Sequence, residues 1–506
     1  MTETSSVPAT SRARARESLL DLVERRPWRA FALFAAIHLA LWSLLPILLN
    51  PNLPLDMIEA LIYGREWQLG YDKHPPLMWW MVEAIHRIVP GDTVFYVVPQ
   101  LLIVASFALV FATARRMTTP AAALVAVLIA DGFHYFGFTA AKFNHNVIQL
   151  PFWALAGYAF LGALRNGHWR HWMLLGLAFG LALWSKYFAV MLMAPMALFL
   201  LLTRDGRRAL ATPGPYLTAL VTLATLAPHL IWLVQHDFLP FAYAEARAAP
   251  PQHLIDHLAR PAIFAAGQLG WAIPALVIAL PLMWPRPAQR AMAADADRRI
   301  AALLAFGPSV LLLIGSLITG RFVVAMWGYP LFLFVGLWLV MAAPAAIDRV
   351  RAGRVFVAWA AITAIYALAF IVDYAVLPRF DQRMRAALFP GAQLAHRVAP
   401  PFRAATGQPL AYVIGSYWLA GNIGHYAPER PRVIIDGDLS RTPWIDPVDV
   451  RRRGAVIIWS DQDPGRIPAE YAAFAPGAAL QAPFTLAPHW GRAASHFGWA
   501  IVPPAP

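Results

Sequence analysis

The chain contains no cysteine, so disulfides and thiolate metal sites are excluded. Charge is scarce as well. Asp, Glu, Lys and Arg make up 14% of the residues and hydrophobic types 59%, whereas soluble globular chains carry roughly a quarter charged residues. That balance excludes an ordinary soluble domain. The alternating pattern of barrel strands is missing too, which leaves helices as the spanning element. No internal repeat of fixed period appears, which argues against an inverted-repeat transporter. No phosphate-cradling glycine loop is present, so no nucleotide site is expected. The scarcest charge is lysine: only three of the 41 Lys and Arg residues are lysines, at positions 73, 142 and 186.

What remains is a series of apolar runs, each able to cross a hydrocarbon core roughly 30 Å thick. The spans fall at roughly 28–49, 93–114, 120–138, 144–164, 172–185, 187–203, 213–235, 261–284, 300–319, 322–341 and 354–375. Those at 172–185 and 187–203 are short and read as a shallow pair turning at Ser185 and Lys186. The net charge of +13 does not imply nucleic acid. Its arginines, such as Arg25, Arg26, Arg115, Arg116, Arg207 and Arg208, sit in short loops of one sidedness and act as topology signals. They place the N-terminus on the cytoplasmic side of the membrane. Residues 1–27 form a basic cytoplasmic segment before an uncleaved first span, and 28–377 a transmembrane catalytic domain. Residues 378–506 form a periplasmic α/β domain with strand-like runs "LAYVIGS", "RVIID", "GAVIIWS" and "GWAIVP". Its glycines Gly415, Gly421 and Gly424 have the wrong spacing for a dinucleotide loop and read as turn and cap residues.

The first outer loop concentrates unusual polarity. After Pro51 and Pro54, "LDMIEALIYGREWQLG" places Asp56, Glu59, Tyr63 and Glu66 on one helix face, which reads as an interfacial helix with acids toward water. "YDKHPP" turns the chain through Asp72, Lys73 and His74, and Trp79 and Trp80 follow at headgroup depth. By topology all three lysines lie near the outer surface, where cations are disfavoured, so their charge points to an anionic ligand such as phosphate. Further along, "AAKFNHNVIQLP" brings Lys142, Asn144, His145 and Asn146 to a span entry, and "LALWSKYFAV" brings Lys186 and Tyr187 to an outer turn. Arg247 and Arg321 are further outer cations, for phosphate or for lipid headgroups. Asp131 and His134 read as a buried pair. Asp56, Glu59, Asp72 and His74 could together hold a metal, the hard carboxylates suiting magnesium or manganese, although their spacing is not diagnostic.

Asp56 with Glu59, then "YDKHPPLMWW", "AAKFNHNVIQLPFWALAGYAF", "LGLAFGLALWSKYFAVML" and "MWGYPLFLFVGLWL", together resemble the GT-C glycosyltransferases of the dolichyl-phosphate-mannose protein mannosyltransferase family. That broad group also includes bacterial transferases that add aminoarabinose to lipid A. The resemblance covers residues from about 28 to 345 and rests on the order and spacing of its motifs. It implies a polytopic α-helical GT-C-like fold of eleven or so spans with interfacial helices in the first outer loop. It also implies inverting transfer of a hexosyl or pentosyl group from a polyprenyl-phosphate carrier to an envelope lipid, glycan or protein. Asp56 maps onto a catalytic base or metal ligand supported by Glu59, Asp72 and Lys73 onto an acid-lysine pair, and Lys186 onto a donor-phosphate lysine. The implied site adds Lys73, Lys142, Arg247 and Arg321 for phosphate, and Asp72, His74, Asn144, His145, Asn146 and Tyr187 for substrate. A divalent metal, magnesium or manganese, would sit at Asp56 and Glu59. Lys142-Phe143-Asn144 and the inserted His74 depart from relatives and bear on sugar and acceptor. The alternative from another class is a transporter or flippase for a lipid-linked anionic sugar.

Overall fold

The computed structural model describes residues 21–283, 295–343, 347–460 and 462–505. Most of the basic segment expected at 1–27 lies outside the described residues. Each of the eleven expected spans contains a helix. Among the described residues seven helices are long and apolar enough to cross a membrane, or nine if two bent pairs count as one span each. The other two expected spans are Pro120–Asp131, with 12 residues, and Trp169–Ser185, with 17. At about 1.5 Å per residue they reach only about 18 and 26 Å, against a hydrocarbon core of roughly 30 Å. The expected shallow pair is real as a break. Lys186 takes an extended backbone between Trp169–Ser185 and the next helix, which then bends by 95° into Arg204–Leu210.

The chain divides into two compact units, and neither is continuous in sequence. The first takes the described residues as far as Ser43, with Val97–Ala141 and His145–Ala367. The second takes Leu44–Tyr96, Lys142–Asn144 and the described residues from Leu368 onward. The consecutive domains drawn from the sequence at 28–377 and 378–506 therefore differ from the compact units, because the first outer loop groups with the C-terminal part.

In the first unit the Trp169–Ser185 helix packs closely on Gly214–Gln235. Gly176 and Gly180 are one turn apart, and a methyl group at Gly176 would meet the Thr218 carbonyl at 2.6 Å. Small residues let the backbones approach, and the threonines opposite supply hydrogen bonds. Thr218 Oγ1 donates to the Trp172 carbonyl at 2.7 Å and Thr222 Oγ1 to that of Gly176 at 3.1 Å. Asp131 is buried, but its partner is not His134. His38 Nδ1 lies 2.7 Å from Asp131 and Trp359 Nε1 donates to it at 2.6 Å. His134 instead stacks on Phe138, 5.2 Å between centroids.

In the second unit a six-stranded sheet runs β2-β1-β3-β6-β4, with β5 also on β6. The strands are β1 Tyr412–Gly415, β2 Arg432–Ile435, β3 Ala455–Ser460, β4 Ala479–Leu480, β5 Phe484–Leu486 and β6 Ser495–Val502. β1, β2 and β3 are parallel, while β6 is antiparallel to β3. Their Val and Ile runs are buried on both faces, the mark of a covered parallel sheet. The Leu419–Tyr426 helix joins β1 to β2 and packs on the Leu55–Gly64 helix of the first outer loop. A methyl at Gly421 would meet Ile62 Cδ1 at 2.5 Å, so glycine serves close packing there.

Candidate active site

The Leu55–Gly64 helix starts behind Pro54 and carries Asp56 in its first turn, where the helix dipole favours a carboxylate. Asp56 is half-buried. One turn on, Glu59 is only 8% exposed and accepts a hydrogen bond from the Lys73 ammonium. Burial raises the Glu59 carboxyl above its ordinary value; Lys73 opposes that shift, and the nearby Asp56 and Asp72 reinforce it. The Lys73 ammonium also lies 4.4 Å from the centroid of the Tyr417 ring, a cation-π contact.

Asp72 accepts from the Tyr63 hydroxyl at 2.7 Å and from Arg441 Nε at 3.1 Å. The other side of the Arg441 guanidinium binds Asp436. Burial first, and then Asp72 and Glu59, push the Tyr63 hydroxyl well above its ordinary value, which keeps it a neutral donor. Trp79 stacks on Tyr63 with centroids 4.4 Å apart. Asp56, Glu59, Asp72 and Lys73 thus form one cluster, with His74 half-buried and its ring 6.3 Å from Trp79.

Two expectations for this loop are corrected. Glu59 does not face water, and the opposite face with Met57 and Ile58 is buried too, because the C-terminal domain covers the helix. Trp79 is fully buried and is not a headgroup anchor. Trp80, half-buried, donates Nε1 to the Gln68 carbonyl at 2.9 Å.

A second polar group belongs to the first compact unit. Lys186 is 8% exposed and donates to Asn146 Oδ1. The Phe188 and Trp327 ring centroids are each 5.9 Å from Nζ. His145 Nδ1 lies 3.0 Å from the Ser185 carbonyl. The Tyr187 hydroxyl is 2.8 Å from His229 Nε2, and its ring stacks on Phe241 at 5.3 Å. The sequence motifs bring Lys186, Asn146, His145 and Tyr187 forward but miss His229, a single histidine inside a largely apolar run.

The remaining expected residues are placed differently. Lys142 is exposed, and Asn144 Nδ2 donates to its carbonyl at 2.9 Å. Arg247 is exposed at the end of the Leu239–Arg247 helix, where its charge complements the dipole. Arg321 is held by Glu245 and by the Ala248 carbonyl, each at 3.0 Å, which makes it a brace for that loop. Arg441, Asp436 and Tyr417 also escape the motifs, and no local pattern in "SYWLAGN" or "DGDLSR" marks them.

Two of the donors expected for a divalent metal hold other partners. Glu59 holds Lys73, and Asp72 holds Tyr63 and Arg441. Among the described residues no three His, Asp or Glu side chains are grouped to hold a metal ion. What the arrangement supplies is a half-exposed carboxylate beside a buried acid-lysine pair, suited to taking a proton and to meeting an anion.

Comparison with known proteins agrees with the sequence motifs. Residues 73–232 match the family model described as dolichyl-phosphate-mannose-protein mannosyltransferase. The chain is 23% identical over 290 residues to the lipid A galacturonosyltransferase RgtD of Rhizobium johnstonii, an overlap of 56% of this chain and 60% of the relative. It is 29% identical over 213 residues to the lipopolysaccharide core galacturonosyltransferase RgtA of the same organism, covering 41% of this chain and 42% of that one. The match thus spans only about half the length of these curated relatives. Among solved structures, ArnT of Cupriavidus metallidurans bound to undecaprenyl phosphate superposes with a TM-score of 0.62 at 15% identity, covering 92% of this chain and 97% of that one. The arabinofuranosyltransferase AftD from Mycobacteria gives 0.52 at 14% identity, with 94% and 40% covered. These likenesses bear out the resemblance read from the motifs: the chain is a polytopic helical protein of GT-C fold with a small C-terminal sheet domain, similar to the dolichyl-phosphate-mannose protein mannosyltransferase family.

Proposed function

We propose that this protein is a glycosyltransferase that moves a sugar from a polyprenyl-phosphate carrier to an envelope acceptor on the outer side of a bacterial inner membrane. The observation that carries this reading is the half-exposed Asp56 one turn from the buried Glu59–Lys73 pair. An acceptor hydroxyl attacks the anomeric carbon while its proton passes to the Asp56 carboxylate. The bond from the anomeric carbon to the phosphate oxygen breaks, and the carrier phosphate leaves with the electron pair. A single displacement inverts the centre. Lys73 stabilises the charge growing on the leaving phosphate, and fixed charges aimed at such developing charge often contribute most to the rate. Lys186 is assigned the same class of ligand, and Glu59 holds Lys73 in place. The names of the curated relatives, both galacturonosyltransferases, make a hexuronosyl donor the first to test. The undecaprenyl phosphate named for the ArnT structure supports a polyprenyl carrier. The transporter alternative draws no support from these relatives.

The test uses purified protein in lipid nanodiscs, radiolabelled polyprenyl-phosphate galacturonic acid, aminoarabinose or mannose, and lipid A or core acceptors. Label should pass to an acceptor with inversion. Asp56→Asn should cut turnover by about 10² to 10⁴, the usual worth of a general base, and leave carrier binding within about twofold. Near-normal turnover in Asp56→Asn removes the base from this scheme, and movement of an unchanged donor across the bilayer with no transfer replaces the scheme altogether.

A further inference from the structure

We infer that Arg441 of the C-terminal α/β domain is a positioning residue for the Asp72–Lys73 turn, which makes that domain a working part of the reaction centre; the inference rests on the function proposed above. The loop after β2 is built to present this side chain. Asp436 and Gly437 both take left-handed backbone conformations, φ 54° and 70°, a strained choice for aspartate. Asp438 then accepts from the Ser440 amide at 2.8 Å and from its hydroxyl at 2.6 Å, and the Arg441 amide donates to the Asp438 carbonyl at 3.3 Å. The guanidinium that results spans Asp436 on one side and Asp72 on the other.

The electrostatics of the cluster give this bridge its purpose. Asp56, Glu59 and Asp72 are three acids close enough to influence one another, and Lys73 is the cation that the first outer loop contributes among them. Arg441 and the Tyr63 hydroxyl occupy Asp72, while the ammonium donates to Glu59 and lies over the face of Tyr417. With Arg441 gone, Asp72 becomes an uncompensated carboxylate adjacent to Lys73 and competes with Glu59 for it. The lysine assigned to the carrier phosphate then shifts, and a displacement of about 1 Å costs on the order of 10²-fold in rate at a positioned centre. Arg441 therefore acts through Asp72 and touches no substrate.

Acting through another residue has a signature that general destabilisation lacks. Arg441→Gln and Asp72→Asn are combined in a double-mutant cycle on the full-length protein in nanodiscs, with kcat and KM for the polyprenyl-phosphate donor measured for each. Arg441→Gln should lower kcat/KM at least tenfold in the wild-type background, mostly through kcat, and less than twofold in the Asp72→Asn background, because the competing carboxylate is already gone. Equal losses in the two backgrounds, or a wild-type loss under twofold, overturn the inference. Should Arg441→Gln not be recovered folded, Arg441→Lys serves the same cycle. It keeps the cation but cannot bridge two carboxylates, so a loss of about threefold is expected in the wild-type background and none beside Asp72→Asn, and equal losses again overturn it. A wild-type protein that transfers no sugar from any donor defeats the underlying function instead.

Discussion

At the scale of single residues, the scarcity of lysine is an informative signal but an incomplete one. Lys73 and Lys186 both lie in buried polar clusters, whereas Lys142, singled out by the same reasoning, is exposed. Topology statistics count charges on each side of a bilayer and say nothing of where a side chain points, so they nominate three lysines without sorting them. Lys186 is the clearer test of the anion-binding role. Its buried ammonium donates to the Asn146 amide and lies 5.9 Å from the ring centroids of Phe188 and Trp327. Lys186→Met keeps the aliphatic volume and removes the charge. It should bind polyprenyl phosphate at least about tenfold more weakly, since a hydrogen bond to a charged group contributes roughly 1.5–3 kcal/mol. Titration with the carrier followed by thermal shift measures this, and unchanged affinity removes Lys186 from phosphate binding.

At the scale of elements, apolar periodicity locates the helices well, because a membrane span needs a long uninterrupted run and little else produces one. The strands β1, β2 and β3 are legible for a related reason, their dense Val and Ile content, and β6 through its apolar run "GWAIV". β4 and β5 are two and three residues long and carry no pattern at that length. The first outer helix departs from expectation in one respect. Its period is right, but both its faces are covered, and which surface covers a helix is decided by residues hundreds of positions away. Packing makes this helix testable through Gly64. A methyl there would meet the Trp79 carbonyl at 2.3 Å and Glu83 Cβ at 2.9 Å, so the Leu55–Gly64 and Leu77–Ile88 helices touch at a glycine. Gly64→Val overpacks this crossing, a change that typically costs about 1–3 kcal/mol. It should lower the melting temperature and activity together, whereas Gly167→Ala, at a position with open space around it, serves as a comparison for left-handed backbone strain alone. A Gly64→Val protein as stable as wild type would show that the two helices can separate freely.

At the scale of the whole molecule, a change in composition near residue 378 marks a boundary in the sequence, but nothing local shows that the first outer loop groups with the residues beyond it. That grouping rests on pairings between distant residues. Glu66 binds Arg432 at 2.5 Å, Glu83 binds Arg430 at 3.0 Å, Asp72 binds Arg441, and Asp92 meets His425 and Tyr426 at 2.8 Å each. Each partner taken alone reads as a solvated surface charge. Two of these acids give the second compact unit a defined response to acid. Burial pushes the Glu83 carboxyl up, but hydrogen bonds from Arg430 and Arg87 outweigh it and leave the group below its ordinary value. Asp92 follows the same balance, with burial outweighed by His425 and Tyr426. A carboxyl whose folded value is depressed stabilises the fold above its unfolded value, and that contribution disappears as pH falls through the folded one. Glu59 is raised and works in the opposite sense, favouring the fold when protonated, so it partly offsets the loss. Burial and then Arg430 hold the His86 imidazole below its ordinary value, so a shallow loss begins as pH falls through that ordinary value. The melting temperature should fall more steeply below about pH 4, where the acids protonate. Glu83→Gln should lower the melting temperature at neutral pH and flatten the acid fall, because its carboxylate no longer contributes to it. A thermal-shift series across pH in nanodiscs reads both effects, and an acid fall of the same depth in Glu83→Gln would locate the acid sensitivity in other carboxylates.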